Sequence, residues 1–299
     1  MKKHWAYITK KSRRLARLAL VAVFGAAMMA VPFAGALAKN DFDYQEVEYD
    51  VYAGGIHAVR ANMVMDFTQK GRYAMGFGAE TRGFLGSFVP WSGTFETRGW
   101  ALPGSSHTRI PEQHISTASW RGEEETKTYH YDKNKGFKSL ITLYAGKKPR
   151  TEKTEKELTK NTTDIISATL MVMEQVSDGN NCEGSQEIFD GKRRFKLIFH
   201  HKGYVMLKKT RYNAYEGPAV ECVVEVEPIS GAWYKKPRGW LSIQEQGRTL
   251  GTMPTVWMAQ VSENAVVVPV RVRIKTTYGT MFMHMTNYKS GDTVLSIKD

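Results

Sequence analysis

The chain has 299 residues, with 42 lysines and arginines against 30 acidic residues, a formal charge of +12, and 42% hydrophobic residues. Seven of the basic residues (Lys2, Lys3, Lys10, Lys11, Arg13, Arg14 and Arg17) fall within residues 1–38, which hold no acid, so the rest carries 35 against 30, or +5. A nucleic-acid-binding surface is therefore excluded as the meaning of the net charge.

In chain order, the first predicted element is a bacterial secretory signal peptide over residues 1–38. It has a basic start, an apolar run from Leu18 to Val31 that is short for a membrane span, and Ala36-Leu37-Ala38 as a small-x-small site, with cleavage after Ala38. An uncleaved anchor is the alternative. The remaining 261 residues (299 minus 38) suffice for one β-rich periplasmic domain with a sizeable core. No second apolar run has spanning length, so no stable membrane span is expected after cleavage.

Asp43 to about Leu143 reads as β meander. Val47, Tyr49 and Val51 lead to Gly54-Gly55 and a return strand, in which Ala61, Met63, Met65 and Phe67 share one face. Gly76, Gly78, Gly83 and Gly86 predict bulges or strong curvature. Residues 147–160, KKPRTEKTEKELTK, read as an exposed charged connector.

A helix follows over about 163–178. Thr162 or Thr163 is placed to cap it, with Asp164 favoured by the helix dipole. Ile165, Ile166, Thr169, Leu170, Met173 and Val176 recur at helical spacing, and Gly179 stops it. Such a helix plugs a β core or forms a lid over an apolar cavity; the residue pattern suits both. Cys182 follows it, and the strand Ala219–Glu227 alternates so that Cys222 faces inward. A Cys182–Cys222 disulfide would staple the helix exit to the sheet. A reactive thiol served by His200 or His201 is the rival reading.

The β pattern then resumes. Asp190-Gly191 turns into Phe195, Leu197 and Phe199; His200-His201-Lys202-Gly203 reads as the next reversal. Val266, Val268, Val270, Val272 and Ile274 face inward, with Arg271, Arg273 and Lys275 outward. Met281, Met283 and Met285 share a strand face near His284. Their thioethers suit copper in principle, and fill apolar space equally well.

These residues resemble the domain-of-unknown-function 3108 family of bacterial exported proteins. The matching pieces are Tyr49-Asp50-Val51-Tyr52 with Gly54-Gly55, Asp164-Ile165-Ile166-Ser167-Ala168, Cys182, and Phe189-Asp190-Gly191-Lys192-Arg193-Arg194-Phe195. Tyr215-x-Gly217-Pro218-Ala219-x-x-Cys222, Pro228-Ile229-Ser230-Gly231, Pro254-x-Val256-Trp257 and Val268-Pro269-Val270 complete them. The resemblance implies a fold similar to lipoprotein-localisation factors, a curved sheet wrapped around a helix, with no established reaction.

The expected fold is thus mainly β: a large curved antiparallel sheet or incomplete barrel around one buried helix. No nucleophile elbow, P-loop or dinucleotide fingerprint occurs, and the histidines lack metal-ligand spacing. Neither catalytic residues, metal nor cofactor are expected. The expected role is a non-enzymatic periplasmic protein that binds a lipid or lipoprotein-like ligand or an envelope protein, and not nucleic acid. The candidate ligand-facing residues are Ile166, Leu170, Met173, Met281, Met283 and Met285, on the concave face. A packed scaffolding protein and, third, a periplasmic hydrolase are the alternatives.

Overall fold

Alternation of apolar and polar residues builds nearly the whole molecule. In the computed structural model, which describes residues 43–102, 108–236, 240–277 and 279–297, the elements begin with β1 (Tyr44–Ala53), β2 (Ile56–Asp66), β3 (Arg72–Thr81) and the short helix α1 (Gly83–Phe88). There follow β4 (Trp91–Ala101), β5 (Arg109–Trp120), β6 (Glu123–Asp132), β7 (Gly136–Tyr144), β8 (Arg150–Thr151), α2 (Lys156–Thr159) and α3 (Ile165–Ser177). The second half holds β9 (Gly184–Phe189), β10 (Arg193–Leu207), β11 (Gly217–Gly231), α4 (Trp240–Thr249), β12 (Thr255–Ala259), β13 (Val268–Thr276), β14 (Gly279–Ser290) and β15 (Thr293–Ser296). The signal peptide expected over residues 1–38 lies outside the described residues.

The strands form one antiparallel sheet in the order β8-β7-β6-β5-β4-β3-β2-β1-β14-β13-β12-β11-β10-β9, with β15 on β14. Most neighbours are hairpin partners, whereas β1 and β14 join the two ends of the described chain at the middle of the sheet. Among the described residues no ladder joins the two ends of the sheet. It curves enough for them to meet through side chains: Tyr129, Tyr131 and Leu140 of β6 and β7 cluster with Phe189 of β9. Tyr129 donates to the Asp190 carbonyl across the same gap at 2.7 Å. The fold is the expected incomplete barrel around a buried helix.

The connector runs along this seam. It is mostly exposed, as its charge predicts, yet Leu158 packs on the seam cluster. Thr163 then pairs in parallel with Ile188 of β9.

Helix α3 fills the concave side, burying Ile166, Ser167, Ala168, Leu170, Val172, Met173, Glu174 and Val176. The N-cap is Asp164 itself, whose side chain accepts from the Ile166 and Ser167 amides; this corrects the assignment of the cap to Thr162 or Thr163. A carboxylate satisfies two free helix amides at once, and Thr163 is held by the β9 bridge instead. Cys182 and Cys222 form a disulfide, with their Cα atoms 6.3 Å apart. The pairing leaves no thiol for the rival reading.

A further local expectation differs from the structure. His200–Gly203 is not a reversal: β10 runs unbroken from Arg193 to Leu207 with a bulge between His201 and Gly203. Gly203, at φ +138°, absorbs the extra residue without turning the chain. Helix α4 is not among the elements expected from the sequence. It is tied down by Gln244, whose amide both donates to and accepts from the Val226 backbone, beyond the start of the β11–β12 ladder.

Candidate functional site

The six residues expected to face a ligand lie on the core side of the sheet. Ile166, Leu170, Met173 and Met285 are packed in the main core, with Leu170, Met173 and Met285 fully buried, and Met283 packs against it. Met281 is half-buried on the same face of β14. The space that would shelter acyl chains is occupied by α3, so this face is packed core rather than an open cavity. Strand alternation also sends His284 to the face opposite the three methionines, which separates the two halves of the copper arrangement.

At the start of α3 sits a buried polar network. Thr97 donates to Asp164 at 2.8 Å and lies 2.8 Å from His114 Nδ1; Ser167 donates to the other carboxylate oxygen. The Tyr73 and Ser167 hydroxyls are 2.7 Å apart. Serine, histidine and aspartate thus meet, but not in a working order. Ser167 bonds the carboxylate rather than the imidazole, and Asp164, Ser167 and His114 are all buried. Burial holds the His114 imidazole below its ordinary value against the pull of Asp164. The network anchors α3 to β3, β4 and β5.

At the other end of α3, Glu174 pairs with Arg109 beside a cavity of about 400 Å³. Burial pushes the Glu174 carboxyl up to about 7, although Arg109 opposes the shift.

The largest site with convergent chemistry lies on the other face of β13 and β14. Arg271 stands opposite His284, and Arg273 opposite Phe282. On β1, Tyr52 stands opposite Phe282. Arg271, His284, Phe282 and Tyr52, with Lys208, Arg211 and Tyr212 from the loop after β10, line a cavity of about 510 Å³. The Arg271 guanidinium lies 5.2 Å from the Trp257 ring and 4.8 Å from Phe282; Arg273 lies 5.1 Å from Trp257. Trp257 is thereby buried between two cations. His284 stacks on Phe282 at 5.6 Å and on Tyr212 at 6.1 Å, and Tyr52 meets Tyr212 edge-on at 4.8 Å. Arg211 lies over Tyr212 at 4.6 Å.

The electrostatics of this cavity are one-sided. None of its lining residues is acidic. Asp50, across from His284 on β1, is engaged by His57 at 2.9 Å and Arg60 at 3.5 Å. Among the described residues, Arg271 Nε and His284 Nδ1 are buried with no hydrogen-bond partner. Burial and then Arg273 lower the Arg271 pKa; burial and then Arg271 push His284 down to about 4. The imidazole is therefore neutral at pH 7, and the cavity offers guanidinium and ammonium donors beside three aromatic walls.

No sequence motif marks this site, because its residues come from β1, the loop after β10, and β13–β14. The available signal was the alternation that placed Arg271 and Arg273 on the outward strand face. The register with Phe282 and His284 turns that face into a cavity.

No curated protein matches the chain. The crystal structure of a β-barrel-like protein of domain of unknown function DUF1849 from Brucella abortus is similar over 84% of this chain and 99% of that chain, at 9% identity and a TM-score of 0.46. The profile described as Protein of unknown function (DUF3108) matches residues 48–286, most of the 299, and the chain belongs to that family.

Proposed function

We propose that this chain is an exported, non-enzymatic binding protein of the bacterial periplasm, and that it holds a negatively charged ligand in the Arg271 cavity. The observation that carries the reading is Arg271 itself. It is a half-buried guanidinium beside two aromatic rings, with an unpartnered Nε and no carboxylate among the residues that line the cavity. An unpaired cation taken out of water is costly, and an anionic ligand removes that cost. A lipid or lipoprotein headgroup falls within this class; its acyl chains would lie outside the packed concave face. Export rests on the basic and apolar pattern of residues 1–38, with Lys39 as the first mature residue.

Native mass spectrometry of protein purified from the periplasm tests the reading. The expected spectrum shows a bound mass in the wild type that Arg271→Gln loses while its far-ultraviolet circular dichroism stays unchanged. A bare polypeptide mass in both would sink it.

A second reading, a scaffolding protein that binds other envelope proteins, draws support from the β10 hairpin. There Tyr204 and Met206 are 64% and 71% exposed. Crosslinking from position 204 that captures one defined protein, together with a ligand-free mass, would favour it.

A further inference from the structure

Resting on the Arg271 cavity as the ligand site, we infer that its ligand is a phosphate ester carrying a planar or apolar group beside the phosphate. Three cations, Lys208, Arg211 and Arg271, line the one cavity with no acid among them. A single carboxylate charge would leave that excess uncompensated, whereas a phosphate monoester carries close to two charges and three acceptor oxygens. A guanidinium presents a rigid fork of N–H donors that suits two oxygens of one phosphate. Arg271 is poised for this: its guanidinium lies over Trp257 and Phe282, and its Nε has no hydrogen-bond partner among the described residues.

The rest of the cavity specifies the other half of the molecule. Phe282, Tyr52 and Tyr212 supply ring faces, and neutral His284 continues the stack between Phe282 and Tyr212. Inorganic phosphate would leave these walls uncovered. A volume of about 510 Å³ holds a headgroup with a ring or a short apolar stem. Two sources carry this chemistry, a phospholipid headgroup and a soluble phosphate ester.

Isothermal titration of the mature protein with phenyl phosphate, inorganic phosphate and benzoate separates the parts. Phenyl phosphate is expected to bind one to one, about tenfold or more tighter than either fragment. Arg271→Gln and Arg211→Gln should each weaken it about tenfold. Arg211 is exposed, so its variant keeps the test valid if Arg271→Gln misfolds. Displacement of phenyl phosphate by phosphatidic acid vesicles, but not phosphatidylcholine vesicles, supports the lipid source; binding unaffected by either supports the soluble ester. Benzoate binding as tightly as phenyl phosphate overturns the phosphate, and inorganic phosphate doing so overturns the planar group. A copurified ligand lost in Arg271→Gln but silent in phosphorus NMR overturns this inference and leaves the anion-site reading intact. No titration and no copurified ligand overturns both.

Discussion

Asp164 is the most heavily used side chain in the molecule: it caps α3, accepts from Thr97 and Ser167, and faces His114 at 3.5 Å. Asp164→Ala removes a cap and takes the acceptor from two buried hydroxyls, Thr97 and Ser167. The expected loss is about 3 kcal/mol, combining roughly 1 for the cap with 1–3 for the orphaned partners. Urea unfolding should show it as a lower midpoint at unchanged slope. The charge at the helix start was legible from position alone. Its partners were not, since Thr97 is 67 residues away in the chain and no local pattern links them. Glu174 gives a pH signature of definite sign. Its folded pKa, raised to about 7 by burial, with Arg109 opposing the shift and Asp178 adding to it, exceeds the ordinary 4.5. The folded protein holds a proton that the unfolded chain has lost, so this contribution to stability is full below pH 4.5 and declines as pH rises towards 7. His284 has the opposite slope, because its folded pKa lies below 6.5: its contribution is full above pH 6.5 and falls towards pH 4. Glu174→Gln should therefore gain stability relative to wild type at pH 8 compared with pH 4.5, measured by urea midpoints. An equal difference at both pH values would refute the raised pKa.

Between the residue and the barrel stands α3 with its exit. The helix is short, 13 residues, and would not persist alone; burial of its apolar face holds it. That face was legible in the 3.6-residue period, and so was the inward direction of Cys222 from the alternation of β11. What periodicity does not carry is whether a buried face meets protein or ligand, since apolar surface is recognised by both in the same way. The methionines of β14 show this: their spacing suits a lipid wall, and in the structure Met285 is buried in the core with Met283 packed against it, while Met281 stands opposite Ile274 of β13. The disulfide closes a loop of sequence separation 40 between the helix exit and β11. Chain-entropy reasoning puts its contribution at about 4 kcal/mol. Cys182→Ala with Cys222→Ala should lower the unfolding free energy obtained from urea titration by that amount, and wild type measured in reductant should match the double variant. A reductant effect that persists in the variant would show that something other than this bond is responsible.

At the scale of the whole molecule the question is how an open sheet of this size avoids exposing its two ends. Hairpin order was legible from the turns, which is why the sequence of neighbours matches the chain over most of the sheet. The β1–β14 pairing and the seam were not, because both join segments far apart with no turn between them. Closure comes from few interactions: the cluster of Tyr129, Tyr131, Leu140 and Phe189, the Tyr129 hydrogen bond to Asp190, the contact of Leu158, and the Thr163–Ile188 bridge. By contrast β1 and β14 sit in the middle of the sheet and pair along almost their full length. The seam should therefore open at lower free energy than the centre. Leu158→Asp places a charge on the seam cluster, where it has no apolar partner to keep, and Tyr129→Phe deletes one hydrogen bond worth about 1 kcal/mol. In native-state hydrogen exchange, both variants should speed exchange in β7 and β9 while β1 and β14 keep wild-type protection. If protection falls equally in all four strands, the barrel opens as a single unit and the connector is not its weak point.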